Sequence, residues 1–154
     1  MTRFAFDIGG VIVNIKTETI DDESVTSIKL VVEKYGNSNV FIISKAKDKY
    51  IKLNQERLEN YKFYEKTGFL KENLYFCNEY SDKAKLCDNL NIDYMVDDSL
   101  KVIKFLNCKS FLMKKSYSIN HPEHIYFIAN DKKNFTYNTP TWKRFRKKIN
   151  QISK

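Results

Sequence analysis

The stretch RFAFDIGGVIV, residues 3–13, decides the fold class, because a short apolar strand ends in a carboxylate and runs directly into two glycines. We predict a first strand over residues 3–7, after which residues 11–13 continue the apolar run. Most side chains of this stretch are apolar, which is typical of a strand that is buried on both faces of a parallel sheet. Asp7 then stands at the carboxyl end of a buried strand.

Apolar strands alternate with helical patterns along the rest of the chain, which predicts βαβ units around a mainly parallel sheet. Further strands are predicted at residues 40–43, 74–77, 92–96, 110–113 and 125–128. Helices are predicted at residues 23–35, in a long polar region that ends at 67–68, at 82–90, after a Ser99 cap, and after a Thr139 cap with Pro140 in the first turn. The predicted fold is a three-layer α/β/α domain over residues 1–154, with five to six strands.

Composition narrows the classes of partner. The formal net charge is +8, which favours acidic partners such as nucleotides or nucleic acid, although lysines spread along the whole chain also serve solubility. Three cysteines without metal-ligand spacing argue against a disulfide framework and fit a reducing, cytoplasmic location. No segment approaches the roughly 20 apolar residues that span a bilayer, so we expect no membrane partner.

Polar residues follow three of the predicted strands. The first strand ends in Asp7, the second in Ser44 and the fourth in the Asp97-Asp98 pair. Ligands of open parallel sheets bind at the carboxyl ends of the strands, where these side chains would meet. Carboxylates from two strand ends can share Mg²⁺, and a serine hydroxyl can hold a phosphate oxygen. Lys83 upstream of the fourth strand would offset the remaining negative charge.

These segments resemble the four motifs of the haloacid-dehalogenase (HAD) superfamily. The first is FAFDIGGVI at residues 4–12, the second VFIIS at 40–44, the third KAKLC at 83–87 and the fourth IDYMVDDS at 92–99. The resemblance covers residues 3–113 and implies a HAD-like Rossmannoid fold, followed by a C-terminal strand and a basic amphipathic helix at about 125–153. The nearest branch is the 5′(3′)-deoxyribonucleotidase-like one, with residues 117–120 and Trp142 as its late elements.

The resemblance implies a role for each motif residue. Asp7 would be the nucleophile that forms an aspartyl-phosphate, and Ser44 and Lys83 would complete the catalytic set. The implied Mg²⁺ ligands are Asp7, the Gly9 carbonyl, Asp98 directly and Asp97 through water, and the implied phosphate-binding residues are Ser44, Lys45 and Lys83. Lys85 competes with Lys83 for the phosphate. For the Asp97-Asp98 pair, capping of the next helix is the alternative to metal binding.

The sequence departs from the family at Gly9. Family phosphatases usually place a second aspartate there, as general acid and base, and such assistance is commonly worth about 10²–10⁴ in rate. Dehalogenases tolerate its absence, because a halide needs no proton. They normally carry a cap, however, and the gaps between these motifs leave no room for a large cap domain. An open site favours bulky substrates, or closure by a partner such as a second copy in a homodimer.

Three functions are consistent with these residues. The first is a Mg²⁺-dependent phosphohydrolase that acts on a nucleotide or another organic phosphate. The second is a catalytically degenerate module that binds phosphate or nucleic acid, for which the basic face of the last helix is the candidate surface. The third is a phosphatase of nucleic-acid ends. His121 and His124 flank Pro122 in a polar segment, and we expect both to be exposed loop residues.

Overall fold

A computed structural model describes residues 1–114, 124–129 and 132–153, with the backbone alone at 124–129 and 132–134. Its strands are β1 Phe4–Phe6, β2 Val13–Asn14, β3 Thr19–Ile20, β4 Val40–Lys45, β5 Leu74–Cys77, β6 Tyr94–Asp97, β7 Lys109–Leu112, β8 His124–Ala129 and β9 Lys132–Asn138. Its α-helices are α1 Asp22–Tyr35, α2 Asp48–Asn60, α3 Phe63–Thr67, α4 Tyr80–Asn89, α5 Leu100–Ile103 and α6 Trp142–Ile152. None of the helices in these ranges is long and apolar enough to cross a membrane.

The main sheet has seven strands in the order β5-β4-β1-β6-β7-β9-β8. The first six are parallel to one another, and only the edge strand β8 is antiparallel to its neighbour β9. The predicted α/β class with a mainly parallel sheet is therefore confirmed. The expectation of five to six strands was wrong because β9 was missed. Its sequence KKNFTYN carries lysines and asparagines, which hide the alternation of Phe135 and Tyr137 with Thr136.

Helices cover both faces of the sheet, each over its own apolar core. One core joins α1, α3 and α6 to the strands and is centred on aromatic rings, with Phe145 edge-on to Phe6 and Phe111. The other core joins α4 and α5 to the opposite face, around Ala5 and Met95 of the two central strands. β1 is fully buried on both faces, so its apolar composition follows directly from its central position.

The chain reverses immediately after β1. The backbone N–H groups of Val11, Ile12 and Val13 all donate to the carbonyl of Ile8, which winds the apolar run into a tight turn. The short hairpin β2–β3 follows, and the Asn14 side chain orders its tip by accepting from the N–H groups of the next turn. The hairpin thus starts from the carboxyl edge of the sheet, beside the end of β1.

The helices differ from prediction where polar sequence hides a boundary. The long polar region is two helices, α2 and α3, because Lys62 adopts a left-handed conformation with φ 62° between them. α5 has only four residues, and Ser99 precedes it without a side-chain capping bond. By contrast, α1 begins as predicted, with the Asp21 side chain accepting from the N–H of Glu23, and it ends at Gly36.

The predicted start of the last helix was wrong. Thr141 caps α6, with its side chain accepting from the N–H of Arg144 at 3.2 Å. Thr139 instead remains extended beside β7 and donates its N–H to the carbonyl of Leu112. A residue before proline is driven away from helical geometry, so Pro140 holds Thr139 in the strand direction. The apolar stripe of Trp142, Phe145 and Ile149 is buried as the periodicity predicts.

Candidate metal and phosphate site

Parallel pairing brings the two acidic strand ends together. Phe6 of β1 is in register with Val96 of β6, so Asp7 and Asp97 follow at the same level of the sheet. One carboxylate oxygen from each of Asp7, Asp97 and Asp98 lies within 4.8 Å of the others. We refer to these three residues as the aspartate cluster. Residues 90 positions apart in the sequence thus converge at one edge of the sheet.

A buried lysine lies against the aspartate cluster. Lys83 Nζ is 3.0 Å from Asp7 Oδ1 and 2.9 Å from Asp97 Oδ2, and its side chain is only 2% exposed. α4 directs this side chain to the cluster from its first turns, whereas Lys85, two residues later on the same helix, is exposed. Of the two candidate lysines, Lys83 is therefore the one beside the carboxylates.

Asp97 is held by two bonds. Its Oδ2 accepts from Lys83, and its Oδ1 accepts from the backbone N–H of Ser99 at 3.0 Å. The capping alternative therefore holds in part, since Asp97 bonds to the backbone at the start of α5. Both of its oxygens already have a donor, which leaves Asp98 and the second oxygen of Asp7 better placed for direct contact with an ion.

The charges of the cluster do not balance. Three carboxylates face one ammonium group, which leaves two negative charges without compensation when all groups are ionised. Burial, and then the charge of Asp97, raises the pKa of Asp7 from 3.8 to about 7, although Lys83 opposes the shift. Burial also raises the pKa of Asp97 and Asp98. For Lys83, burial alone would lower the pKa, but Asp7 and Asp97 outweigh it and raise the value.

This arrangement fits a hard divalent cation. Every candidate ligand is an oxygen, the uncompensated charge is that of one divalent ion, and Mg²⁺ favours sites with one or two protein carboxylates. Oxygens that share one Mg²⁺ ion lie about 3–4 Å apart. The carboxylate oxygens of the cluster lie within 4.8 Å of one another, which is close to this range. Residues of the cluster could therefore hold Mg²⁺.

Two adjacent glycines differ sharply in their surroundings. A Cβ atom at Gly10 would clash with Asp98 Oδ2, and Gly10 also has φ +78°, so a side chain there would strain the backbone and displace this carboxylate. A Cβ atom at Gly9 would meet nothing within 4 Å. Gly9 is thus sterically open, whereas Gly10 is not.

The cluster lies at the base of a cleft of about 480 Å³. Gly9, Ser44, Lys45 and Lys83 line it, so the structure brings all the sequence-predicted site residues to one place. Ser44 itself is buried, with 3% exposure. No model of a known protein family matches the chain, and no curated protein is significantly similar to it in sequence. The function has to be inferred from the chemistry of this cleft.

Several other residues of the cleft belong to no motif that the sequence analysis identified. The α2 side chains Tyr50, Asn54 and Arg57 form part of its wall, as do Glu18 of the hairpin and Tyr80 of α4. Only tertiary packing brings them there, although the paired glycines were a visible signal for Gly10. Trp142 is a core residue against Phe6 and Phe145.

Of the residues predicted on either side of Pro122, the structure describes only some. Residues 117–120 and His121 lie outside the described residues. His124 is the first residue of β8, where its backbone pairs with Tyr137, so the expectation of a loop residue was wrong. The chain reaches strand geometry earlier than the polar composition around Pro122 indicated.

The charge imbalance predicts an unusual pH dependence of stability. The pKa of Asp7 is higher in the folded than in the unfolded state, so the free energy of unfolding falls as pH rises from about 4 to about 7. Asp7→Asn removes this component. In EDTA the variant should therefore become increasingly more stable than the wild type up to pH 7, by on the order of a few kcal/mol. Urea denaturation at pH 5 and pH 8 measures the difference, and millimolar Mg²⁺ should reduce it. A variant less stable at pH 8 would contradict the assignment.

The two glycines provide a matched pair of substitutions. Gly10→Ala places a methyl group on the Asp98 carboxylate and strains a positive φ, so it should weaken Mg²⁺ binding about tenfold or more. Gly9→Ala meets no atom and should leave the affinity within about twofold. Calorimetric titration with Mg²⁺ measures both. Equal effects of the two substitutions would show that Asp98 does not contact the ion.

Proposed function

We propose that the protein is a Mg²⁺-dependent phosphohydrolase of the HAD type that acts on a nucleotide or another organic phosphate. The observation that carries the proposal is the aspartate cluster with Lys83 bonded to it. This cluster contains a carboxylate that can act as a nucleophile, and its excess of two negative charges suits a divalent cation. The same residues match the HAD motifs in order along the chain. A cleft of about 480 Å³ above them has the size of sites that take small organic ligands.

In this proposal Asp7 is the nucleophile. One of its oxygens attacks phosphorus, the bond from phosphorus to the leaving oxygen breaks, and an aspartyl-phosphate forms. Water then attacks that phosphorus, phosphate leaves, and the Asp7 carboxylate is restored. Lys83 opposes the protonation of Asp7 and lies close enough to stabilise negative charge on the phosphoryl oxygens. Bound Mg²⁺ would supply charge stabilisation at the phosphoryl group, held by Asp7, Asp98 and the Gly9 carbonyl, with Asp97 in support.

Ser44 and Lys45 are proposed to bind the phosphate. Ser44 lies at the end of β4, next to β1, and it lines the cleft. A serine hydroxyl in this place can donate a hydrogen bond to a phosphoryl oxygen. Lys45 follows it at the mouth of the cleft and adds positive charge.

A second candidate is a binding module without turnover. Gly9 supports it, since the usual acid and base is missing and nothing fills the space. α6 also presents exposed Lys143 and Lys147 on the side opposite its buried stripe, while Arg146 is paired with Glu23. Binding of DNA or RNA by such a face would weaken steeply with salt and would proceed without phosphate release.

The first experiment is a panel of nucleotides, sugar phosphates and a 3′- or 5′-phosphorylated oligonucleotide. We expect phosphate release from at least one compound with Mg²⁺, none with EDTA, and a loss of at least about 10³-fold in Asp7→Asn, because that variant lacks the nucleophile. Release of phosphate is measured colorimetrically. Turnover of the oligonucleotide but not of mononucleotides would identify a nucleic-acid-end phosphatase. Wild-type turnover no greater than that of Asp7→Asn would exclude the phosphohydrolase and leave the binding module.

Gly9 predicts a strong dependence on the leaving group. Without a general acid, the wild type should cleave an aryl phosphate, whose leaving oxygen needs no proton, much faster than an alkyl phosphate. Gly9→Asp has room for its side chain and should raise turnover of the alkyl phosphate by about 10²-fold or more, with little gain for the aryl phosphate. Gly9→Asn is the matched control without a proton to transfer. Equal gains in both variants would rule out acid–base assistance as the missing element.

A further inference from the structure

The cleft has a cationic side, of which the hydrolysis of a single phosphate uses only part. Lys45 of β4 and Arg57 of α2 both line it, together with the acidic base formed by the aspartate cluster. Neither forms an ion pair with an acidic residue in the described ranges. Lys45 and Arg57 therefore line the cleft without forming an ion pair with an acidic side chain in the described ranges. Glu18 of the hairpin is the one carboxylate outside the cluster among the described residues that line the cleft.

Both cations are held in place by neighbouring side chains. Lys45 Nζ lies 4.5 Å from the centre of the Tyr80 ring, within the range of a cation–π contact. Arg57 Nη1 donates to Asn54 Oδ1 at 3.3 Å, and Asn54 is itself buried, with 8% exposure. Asn54 occupies only one of the five guanidinium donors, so most of the fork remains available. A fixed guanidinium with unused donors is the geometry that binds phosphate in a bidentate manner.

Two aromatic rings also line the cleft. Tyr50, on the α2 helix that carries Arg57, is half exposed, whereas Tyr80, at the start of the helix that carries Lys83, is half-buried. Tyrosine rings beside cations can serve as a platform on which a nucleic-acid base stacks. The cleft also offers far more volume than a single phosphate group fills. Charge, rings and volume together favour a substrate with a base and more than one phosphate.

We propose that Arg57 forms a second phosphate subsite, with Lys45 shared between the two phosphates, so that the substrate is a nucleoside carrying two phosphates on its sugar. One phosphate enters the aspartate cluster for hydrolysis, and the other binds Arg57 and shares Lys45, with the base against Tyr50 or Tyr80. This inference rests on the proposed function for the first phosphate. Two phosphates on one sugar occur in a nucleoside 3′,5′-bisphosphate and at the phosphorylated end of an oligonucleotide.

Equilibrium binding to Asp7→Asn protein tests the subsite without turnover. In Mg²⁺, adenosine 3′,5′-bisphosphate should bind about tenfold or more tightly than AMP, because it makes an additional charge-assisted contact. Arg57→Gln should remove most of that advantage and leave the affinity for AMP within about threefold. Lys52→Gln is the matched control, since Lys52 is exposed on the same helix and does not line the cleft. It should keep the full advantage.

The ligands in this assay distinguish a mononucleotide from a nucleic-acid end. They also test the second subsite separately from the proposed hydrolysis. A 5′-phosphorylated trinucleotide that binds more tightly than the bisphosphate would identify a nucleic-acid end as the substrate, and the reverse would identify a mononucleotide. Equal affinities of AMP and both larger ligands would overturn the subsite, as would an advantage that persists in Arg57→Gln. Since binding is measured in an inactive variant, this result is independent of whether the wild type releases phosphate.

Discussion

Three carboxylates around one buried ammonium group form the interaction on which the rest of this structure depends. Lys83 bridges Asp7 and Asp97, and through them it joins β1, β6 and α4 at the carboxyl edge of the sheet. The cluster keeps an excess of negative charge that burial makes unfavourable, as the raised pKa of Asp7 shows. A protein selected for stability alone would not retain such a group in its interior. This uncompensated charge is the strongest reason to regard the edge of the sheet as a cation site.

The neighbouring backbone is adapted to the same cluster. The turn after β1 is closed by three N–H groups on one carbonyl, and Gly10 allows the Asp98 carboxylate to approach the chain more closely than any side chain would permit. Gly9, by contrast, is under no steric constraint. If the proposed function is correct, the space beside Gly9 leaves the nucleophile Asp7 without a neighbouring proton donor. The cationic wall of the cleft points to how a substrate would be held while the chemistry proceeds.

The main features of the site could be predicted from sequence because they depend on local pattern and on one topological rule. Apolar strands that end in Asp7 and Asp97 must meet at one edge if the sheet is parallel, and that requirement needs no knowledge of side-chain packing. The cap at Asp21 and the stop at Gly36 were predictable for the same reason, since both are set by neighbouring residues. The relation of Lys83 to the carboxylates followed from its place at the start of a helix between two strands.

The remaining features depend on contacts distant in sequence. The polar composition of β9 does not indicate a strand, and β9 is a strand because it pairs with β7 and β8. The division between α2 and α3 depends on a single left-handed residue, Lys62. Arg57 belongs to a polar helix without a motif and lies in the cleft only because α2 packs beside the hairpin. The start of α6 was placed too early because Thr139-Pro140 resembles a helix start, whereas the pairing with β7 extends through Thr139.

Anomalous scattering from crystals of the protein grown with Mn²⁺, a substitute for Mg²⁺ that can be located directly, tests the central claim. The account predicts one strong peak within about 2.3 Å of oxygens from Asp7 and Asp98, and its loss in Asp98→Asn crystals under the same conditions. An aspartate cluster without a peak at millimolar Mn²⁺, with Lys83 still bridging Asp7 and Asp97, would contradict the account.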